Sequence, residues 1–438
     1  MMMRSSSIIL FFLFLFPSFA FSQEILTLEA AIRIGLENSY SIQIARNNVD
    51  VAKNNNTIGN AGYLPSIVIN ANQRNSSQSS YQENSDESSS SISNFPTFSL
   101  SSGAQLNWTL FDGFAMFVRK EKLELLQDQS DLYLRMELEN TIADIVITYY
   151  NIALNQKLYN TYGEQLSLSR QRCMIAREKS RIGVGYELQE LQAEVDFRAD
   201  STQFVSQGTR VVNLKADLNQ LLSREPSVDF EINLSIPVPQ LAIVNDIFLK
   251  VKEFNPHILN SRLMAQIGEL DYNEARSSRY PTFNLTGAYN FSNVGTPDGQ
   301  VQLYRTHGPS LGVGASITLF NGLNASRRIK NAKILFENQQ LSQENLMLRL
   351  QNTAFKLVNN LNQAIDLVQV EEISVVLAQR NADAAWERYQ LGAISDIELR
   401  ESQNKLLDAQ IRLISAQMNA QVAEIEIRTL TGDMGGLF

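Results

Sequence analysis

The sequence predicts a mainly α chain with a β-barrel part, in which one half is used twice in the order helix–strand–strand–long helix–turn–helix. Three observations predict it. Motifs recur at a fixed spacing: Gly113 of "LFDG" and Gly322 of "LFNG" are 209 residues apart, and so are Gly183 and Gly392. All ten prolines avoid 97–225 and 310–438. Proline costs about 3 kcal/mol inside a helix, so these two blocks permit very long helices. Finally, four stretches of about ten residues alternate apolar and polar side chains, the pattern of a strand with one apolar face.

The chain has 438 residues, 44% hydrophobic and 19% charged, enough for a large core. Residues 1–22 read as a signal peptide. Arg4 gives a positive start, Ile8 to Phe16 is unbroken apolar sequence, and Ala20 and Ser22 precede a cut before Gln23. Without it 36 basic residues face 46 acidic ones, a net charge of −10. Such a chain is not expected to bind nucleic acid. Cys173 is the only cysteine, so no internal disulfide is expected, and no cysteine near the cut offers a lipid-anchor position.

The first repeat covers 23–225 and the second 241–438. "ENSYSIQIARNNVDVAKN" (Glu37 to Asn54) matches "EFNPHILNSRLMAQIGEL" (Glu253 to Leu270) in pattern. "GYLPSIVINA" matches "SRYPTFNLTGA", with Pro65 and Pro281 marking the strand entries. Helical hairpins are expected at about 113–223 and 322–430, broken near the paired glycines. The first long helix, 113–181, would be roughly 100 Å long at 1.5 Å per residue. Leu350, Ala354, Leu357, Leu361, Ala364 and Val368 repeat every seven residues, the seam of helices packed side by side. Between the repeats, 226–240 links the halves, and Val228, Phe230, Ile232 and Leu234 alternate as a short strand.

Strands are expected at about 66–74, 99–111, 282–292 and 309–320. Leu100, Leu106 and Trp108, Phe283 and Leu285, and Val313 and Ile317 share the apolar side of their strands. Ten residues suffice for a tilted strand to cross a bilayer, and apolar-out, polar-in alternation is the outer-membrane barrel pattern. Those seven residues are the expected lipid-facing set. Four strands cannot close a barrel, because the smallest type has about eight, so closure calls for two or three copies. Asn75 to Pro96 contains ten serines and reads as a mobile polar loop, with Asn293 to Gly308 as its shorter counterpart.

Signal peptide, duplicated half, long helices and one strand hairpin per half together resemble the TolC-like outer-membrane efflux proteins. The local motifs are "YLP", "LFDG"/"LFNG" and "YxLGxxSxxELxxxQ" at Tyr389 to Gln403, and the resemblance runs from Ile25 to about Gly432. It implies a homotrimer: a 12-stranded outer-membrane barrel continued by a 12-helix periplasmic tunnel. It also implies a channel that exports small molecules or secreted proteins with a periplasmic adaptor and an inner-membrane transporter of RND, ABC or MFS type. Most of the chain would lie in the periplasm.

The resemblance assigns sites as well. Ile182, Gly183 and Val184, and Leu391, Gly392 and Ala393, stand where the family's tips meet the adaptor. A turn between antiparallel helices needs a residue that tolerates positive φ, which is glycine's property. Glu398 and Glu401 occupy the positions of two carboxylates that ring the closed entrance, with Asp396 an extra acid nearby. A spacing of three puts the glutamates on one helical face. The first repeat has Gln189 and Gln192 there instead. Arg177, Arg181 and Arg388 lie close to the two breaks in sequence and are candidates to pair with acids across neighbouring helices.

An enzyme is not expected. His257 and His307 are the only histidines, and HExxH, GxSxG, P-loop and paired CxxC motifs are absent. No cofactor or metal is implied. The competing reading is a secreted structural or adhesive coiled-coil protein. A periplasmic adaptor would need a lipoyl-like half-motif, which the chain lacks.

Overall fold

The computed structural model describes residues 25–296 and 302–437. The expected signal peptide and the centre of the Asn293 to Gly308 connection lie outside them. The elements follow the duplication. The first half contains β1 (Ile25–Leu26), α1 (Leu28–Asn38), α2 (Tyr40–Asn55), α3 (Ile58–Ala61), β2 (Ser66–Glu83), β3 (Ser89–Asp112), α4 (Ala115–Arg181) and α5 (Glu187–Leu221). After β4 (Glu231–Ile232), the second contains α6 (Val244–Phe254), α7 (Pro256–Ser277), β5 (Thr282–Gly295), β6 (Leu303–Ser316), α8 (Asn324–Gln390) and α9 (Asp396–Thr431). Both long helices have 67 residues. Among the described residues no helix is long and apolar enough to cross a membrane.

The chain divides into two compact units. The first, residues 35–147, 238–373 and 419–438, holds the strands. They form one antiparallel sheet in the order β2-β3-β5-β6. Partners directly opposite share a face. One face carries the row Ile67, Leu106, Gly287 and Leu311, and the row Trp108, Leu285 and Val313. The other carries Asn70, Gly103, Asn290 and Gly308, and Asn107, Thr286 and Gly312. Leu100 and Phe283 lie on the apolar side.

Three strand expectations need correction. β5 runs on to Gly295 and β6 already begins at Leu303, so the described ends of the expected Asn293 to Gly308 loop are paired strand. β6 stops at Ser316, so Ile317 lies outside the ladder. The reason is its neighbour: β5 begins at Thr282, just after Pro281, and Thr282 opposite Ser316 is the last pair. The serine-rich stretch is no loop. β2 and β3 continue as a two-stranded ribbon from Ser76 opposite Thr97 to Glu83 opposite Ser89, past a register shift at Gln78/Ser80. A ribbon solvated on both faces needs no apolar alternation, so the sequence pattern gave no sign of it.

Helix packing in this unit follows the predicted seam. Ala354, Leu361, Ala364 and Val368 are buried, while Leu350 and Leu357 are partly so. Ala420, Ala423 and Ile427 of α9 pack in the same core, and the two alanines are small enough to let the helices approach. At the strand–helix junctions two consecutive residues turn left-handed in both halves: Gly113 and Phe114 (φ +72° and +74°), Gly322 and Leu323 (φ +67° and +63°). Bulky residues there carry about 1–3 kcal/mol of strain. Edge-on ring contacts hold Phe114 against Phe111 at 4.9 Å and Tyr280 at 5.7 Å. Trp108 donates its Nε1–H to the Tyr63 carbonyl at 2.8 Å.

The second unit comprises residues up to 34, 148–237 and 374–418. The expected linker strand is there, shortened to Glu231–Ile232 and paired in parallel with Ile25–Leu26. Tyr149 fastens it. Its hydroxyl donates to the Leu26 carbonyl at 3.0 Å and accepts the Asn233 N–H at 3.1 Å. Burial pushes the Tyr149 hydroxyl above its ordinary pKa. Cys173 is buried against Ala176 and Ala193.

Candidate functional site

The second unit ends in two helical turns of the same design. Gly183 (φ +79°) and Gly392 (φ +69°) terminate α4 and α8 in the left-handed conformation. The Gly183 N–H reaches Ser180 O at 3.1 Å and the Val184 N–H reaches Lys179 O at 3.0 Å. The same pair recurs as Gly392 to Tyr389 at 3.0 Å and Ala393 to Arg388 at 2.9 Å. This is the Schellman closure, which satisfies carbonyls a helix end leaves free. Nothing lies within 4 Å of a Cβ at either glycine, so conformation rather than crowding within the chain selects them. All six tip residues are exposed: Ile182, Gly183 and Val184, Leu391, Gly392 and Ala393. The apolar ones among them are unusually bare, with Val184 at 72% and Leu391 at 83%.

The three acids after the second turn separate. Glu398 and Glu401 are exposed on α9. Glu398 forms a capping box: its carboxylate accepts the Ser395 N–H at 2.8 Å and hydroxyl at 3.0 Å, and Ser395 Oγ accepts the Glu398 N–H at 3.3 Å. Those bonds hold its pKa below the ordinary value. Glu401 pairs with Lys405 one turn on, at 2.6 Å. Asp396 turns inward instead.

Asp396 belongs to a charged cluster across four helices. Arg172 of α4 has no exposed side-chain surface. It pairs with Asp196 of α5 and, at 3.3 Å, with Asp396 of α9. Arg400 of α9 grips Asp200 of α5 with two bonds of 2.8 Å, and Ser169 of α4 donates to the same carboxylate. Burial pushes the Asp396 carboxyl above its ordinary pKa, with the Arg172 charge opposing. Burial and the Asp396 charge push Tyr389 of α8 up to about 12. Burial works against charge on Arg400, but hydrogen bonding and the charge of Asp200 outweigh it and raise its pKa. Three carboxylates thus face two guanidiniums, and Lys179 adds a cation 4.6 Å above the Tyr389 ring.

This helical hairpin pair joined to a one-faced sheet is matched by known sequences. The profile described as "Outer membrane efflux protein" matches residues 31–224 and 250–433. The chain belongs to that family. This efflux protein is 21% identical over 332 residues to the outer membrane efflux protein BepC of Brucella suis, spanning 76% of its own length and 72% of BepC. It is 19% identical over 186 residues to outer membrane protein TolC of Vibrio cholerae, 42% of each chain. Its fold matches the outer-membrane channel CmeC of Campylobacter jejuni with a TM-score of 0.76 at 17% identity, covering 93% of this chain and 85% of that one. The outer-membrane channel OprN matches with a TM-score of 0.73 at 17% identity, covering 93% and 90%. The protein is therefore an efflux channel of the outer membrane.

Of the three arginines expected near the turns, Arg177 pairs with Glu190 at 3.2 Å and Glu194 at 3.6 Å, and Arg181 with Glu178 on its own helix. Sequence reading missed Arg172, Asp196, Asp200 and Arg400 of this efflux protein. A signal existed: Gln165, Ser169 and Arg172 occupy spacings of four and three, where a helix seam ordinarily places apolar residues. Among the described residues no group of histidines, cysteines and acids could hold a metal.

Proposed function

We propose that three copies close a twelve-stranded barrel continued by twelve helices, through which small molecules or secreted proteins leave the periplasm. One observation carries this: the four-stranded sheet has an apolar face, a polar face and two free edges, β2 and β6. Free edges call for pairing, and four strands cannot close alone. The efflux family supplies the number three. A catalytic role is no part of this reading. The detergent-purified protein should have the mass of three chains and conduct ions in a planar bilayer. A monomer without conductance would overturn the assembly.

The exposed tips are the docking surface for a periplasmic adaptor, itself coupled to an inner-membrane transporter of RND, ABC or MFS type. Exposed Val184 and Leu391 supply apolar contact, and the closed carbonyls leave the glycine backbone open to approach. Because both glycines have positive φ, a bulky replacement would strain the turn itself. Asparagine tolerates that conformation better. Gly183→Asn and Leu391→Asp should therefore leave the trimer intact and lower adaptor capture at least tenfold. Loss of the trimer would make these residues structural only.

Glu398 and Glu401 would line the periplasmic entrance as two rings of three carboxylates, with Asp396 assigned to the inner cluster. Such rings concentrate cations and hold multivalent ones best. The trimer should prefer cations and be blocked by a trivalent metal complex added from the periplasmic side. Glu398→Ala with Glu401→Ala should lose both properties. An unchanged block in the double variant would sink the entrance assignment.

A further inference from the structure

Where α7 stacks on the end of α9, the first unit holds a groove of about 720 Å³, a volume typical of small-molecule sites. Asn255 joins the two helices, its Nδ2–H donating to the Leu430 carbonyl at 2.7 Å. The groove lies over that junction, with α4 along one side and α8 along the other. Ile147, Leu350, Leu357, Ile425 and Leu430 give it an apolar lining, and Glu137, Asp144 and Glu426 supply its acids. Among the described residues these three carboxylates have no ion pair or hydrogen bond. Arg135 and Arg428, two residues from Glu137 and Glu426, pair with Glu139 and Glu424 instead. Partial burial and the charge of Glu137 hold the Asp144 carboxyl above its ordinary pKa.

The helices of this unit run side by side in the order α2, α4, α7, α8. Asn56, which caps α2, bonds Gln127 at 2.7 Å, Gln129 bonds Asn260 at 2.9 Å, and Gly268 packs on Phe336 and Gln339. In a ring of three copies the next chains therefore meet α2 and the far side of α8, and the groove between α4 and α8 stays uncovered. α6 occupies the opposite face of this wall. On α8, Leu348, Gln351, Asn352 and Phe355 border α6, while Leu350, Thr353 and Leu357 border the groove. At about 100° per residue the two sets point roughly 180° apart. Twelve helices about 10 Å apart leave a bore of roughly 28 Å. Three copies of α6 inside would fill it, so α6 belongs outside and the groove faces the bore.

We infer that this groove is a binding site on the tunnel lining for organic cations with an apolar body, an inference that rests on the proposed twelve-helix tunnel. Charge complementarity selects the cation. Among the described residues no group of histidines, cysteines and acids could hold a metal, so a compact ion finds no ligand shell here. Glu137 and Asp144 stand seven residues apart on α4. That is about 10 Å along the helix, a spacing suited to charge spread over an organic frame. The apolar body of such a molecule would cover Leu350, Leu357 and Ile425.

The experiment titrates rhodamine 6G, a lipophilic cation, with the purified full chain in dodecyl maltoside and reads fluorescence anisotropy against empty micelles. The wild type should bind it saturably and ignore fluorescein, an anion of similar size. Glu137→Gln, Asp144→Asn and Glu426→Gln together should weaken binding about tenfold, the sum of three partly exposed ionic contacts. Thr353→Trp fills the groove but keeps its charge, and should weaken binding as much. Bound dye should also lower the single-channel conductance of the wild type in a planar bilayer. No saturable binding in the wild type, or equal binding of fluorescein, would overturn the site. So would loss in the charge triple with full binding in Thr353→Trp, which would mark a diffuse negative field, or full binding in the triple. Saturable binding that leaves conductance unchanged would place the groove off the bore and overturn its place on the lining. A non-conducting monomer that binds the dye with the same two losses would instead refute the tunnel, not the groove.

Discussion

Replacing Arg172 with methionine should loosen the tip-bearing ends of α4, α5 and α9 by about 3–5 kcal/mol, the usual effect of breaking a buried ion pair. Methionine fills similar space, so the loss is one of charge. It leaves Asp196 and Asp396 facing one another with Arg400 3.9 Å from the first. Hydrogen-exchange protection factors of those segments measure the effect locally, where whole-trimer unfolding would not. They should fall on the order of a hundredfold or more. The strands should be unaffected.

The direction with pH follows from Asp396. Its carboxyl is raised in the folded state, so its neutral form is favoured there. That contribution is fully present below the ordinary value of 3.8 and is lost as pH rises through the folded pKa. Removing Arg172 removes an influence that lowers this pKa, so the window widens upward. The methionine variant should recover protection on acidification more than the wild type does. A deficit that stays constant with pH would show that Asp396 is not the charge left exposed.

Arginine on the apolar face of the sheet should be the other severe change. Leu106 stands one residue from the centre of the Phe98 to Asp112 ladder, in a row with Ile67 and Leu311. Leu106→Arg and Leu311→Arg should each cost about 2–4 kcal/mol near a bilayer midplane, and less near an interface. Asn107→Arg and Ser310→Arg, on the polar face, should be tolerated. Urea unfolding of the folded protein in lipid measures both. Equal tolerance of the two faces would mean that the sheet does not border lipid.

Much of this fold was legible because each device leaves a local mark. Proline-free blocks marked α4 and α8, and paired glycines marked both tips. Alternation marked the face shared by Leu106, Trp108, Leu285 and Val313. What stayed hidden lacks a local pattern. The serine-rich ribbon from Ser76 to Thr97 pairs through backbone alone. Ile317 fits the alternation yet has no partner strand, because a proline ends the neighbour. Asp396 looked like one of three neighbouring acids, and only packing against Arg172, near the tip-bearing end of α4, pulls it inward. The polar run of Gln165, Ser169 and Arg172 marked one side of that cluster, but its partners lie on separate helices, and spacing along one helix does not join them. Glu398 carried its own local explanation, the capping box with Ser395, and it was read as an entrance acid alone.

The equal lengths of α4 and α8 bear on how the gene could change after it doubled. Both helices start, end and turn at the same 209-residue separation, from Ala115 and Asn324 through Gly183 and Gly392. Gain or loss of one codon within either would rotate everything beyond it by about 100° and throw the seam out of register. The strand hairpins were free of that restriction. Pro65 precedes Gly113 by 48 residues and Pro281 precedes Gly322 by only 41. Substitution has rewritten the helices almost completely while their residue count stayed fixed, and the insertions or deletions separating the two hairpins collected between those landmarks, where extra length only extends a ribbon.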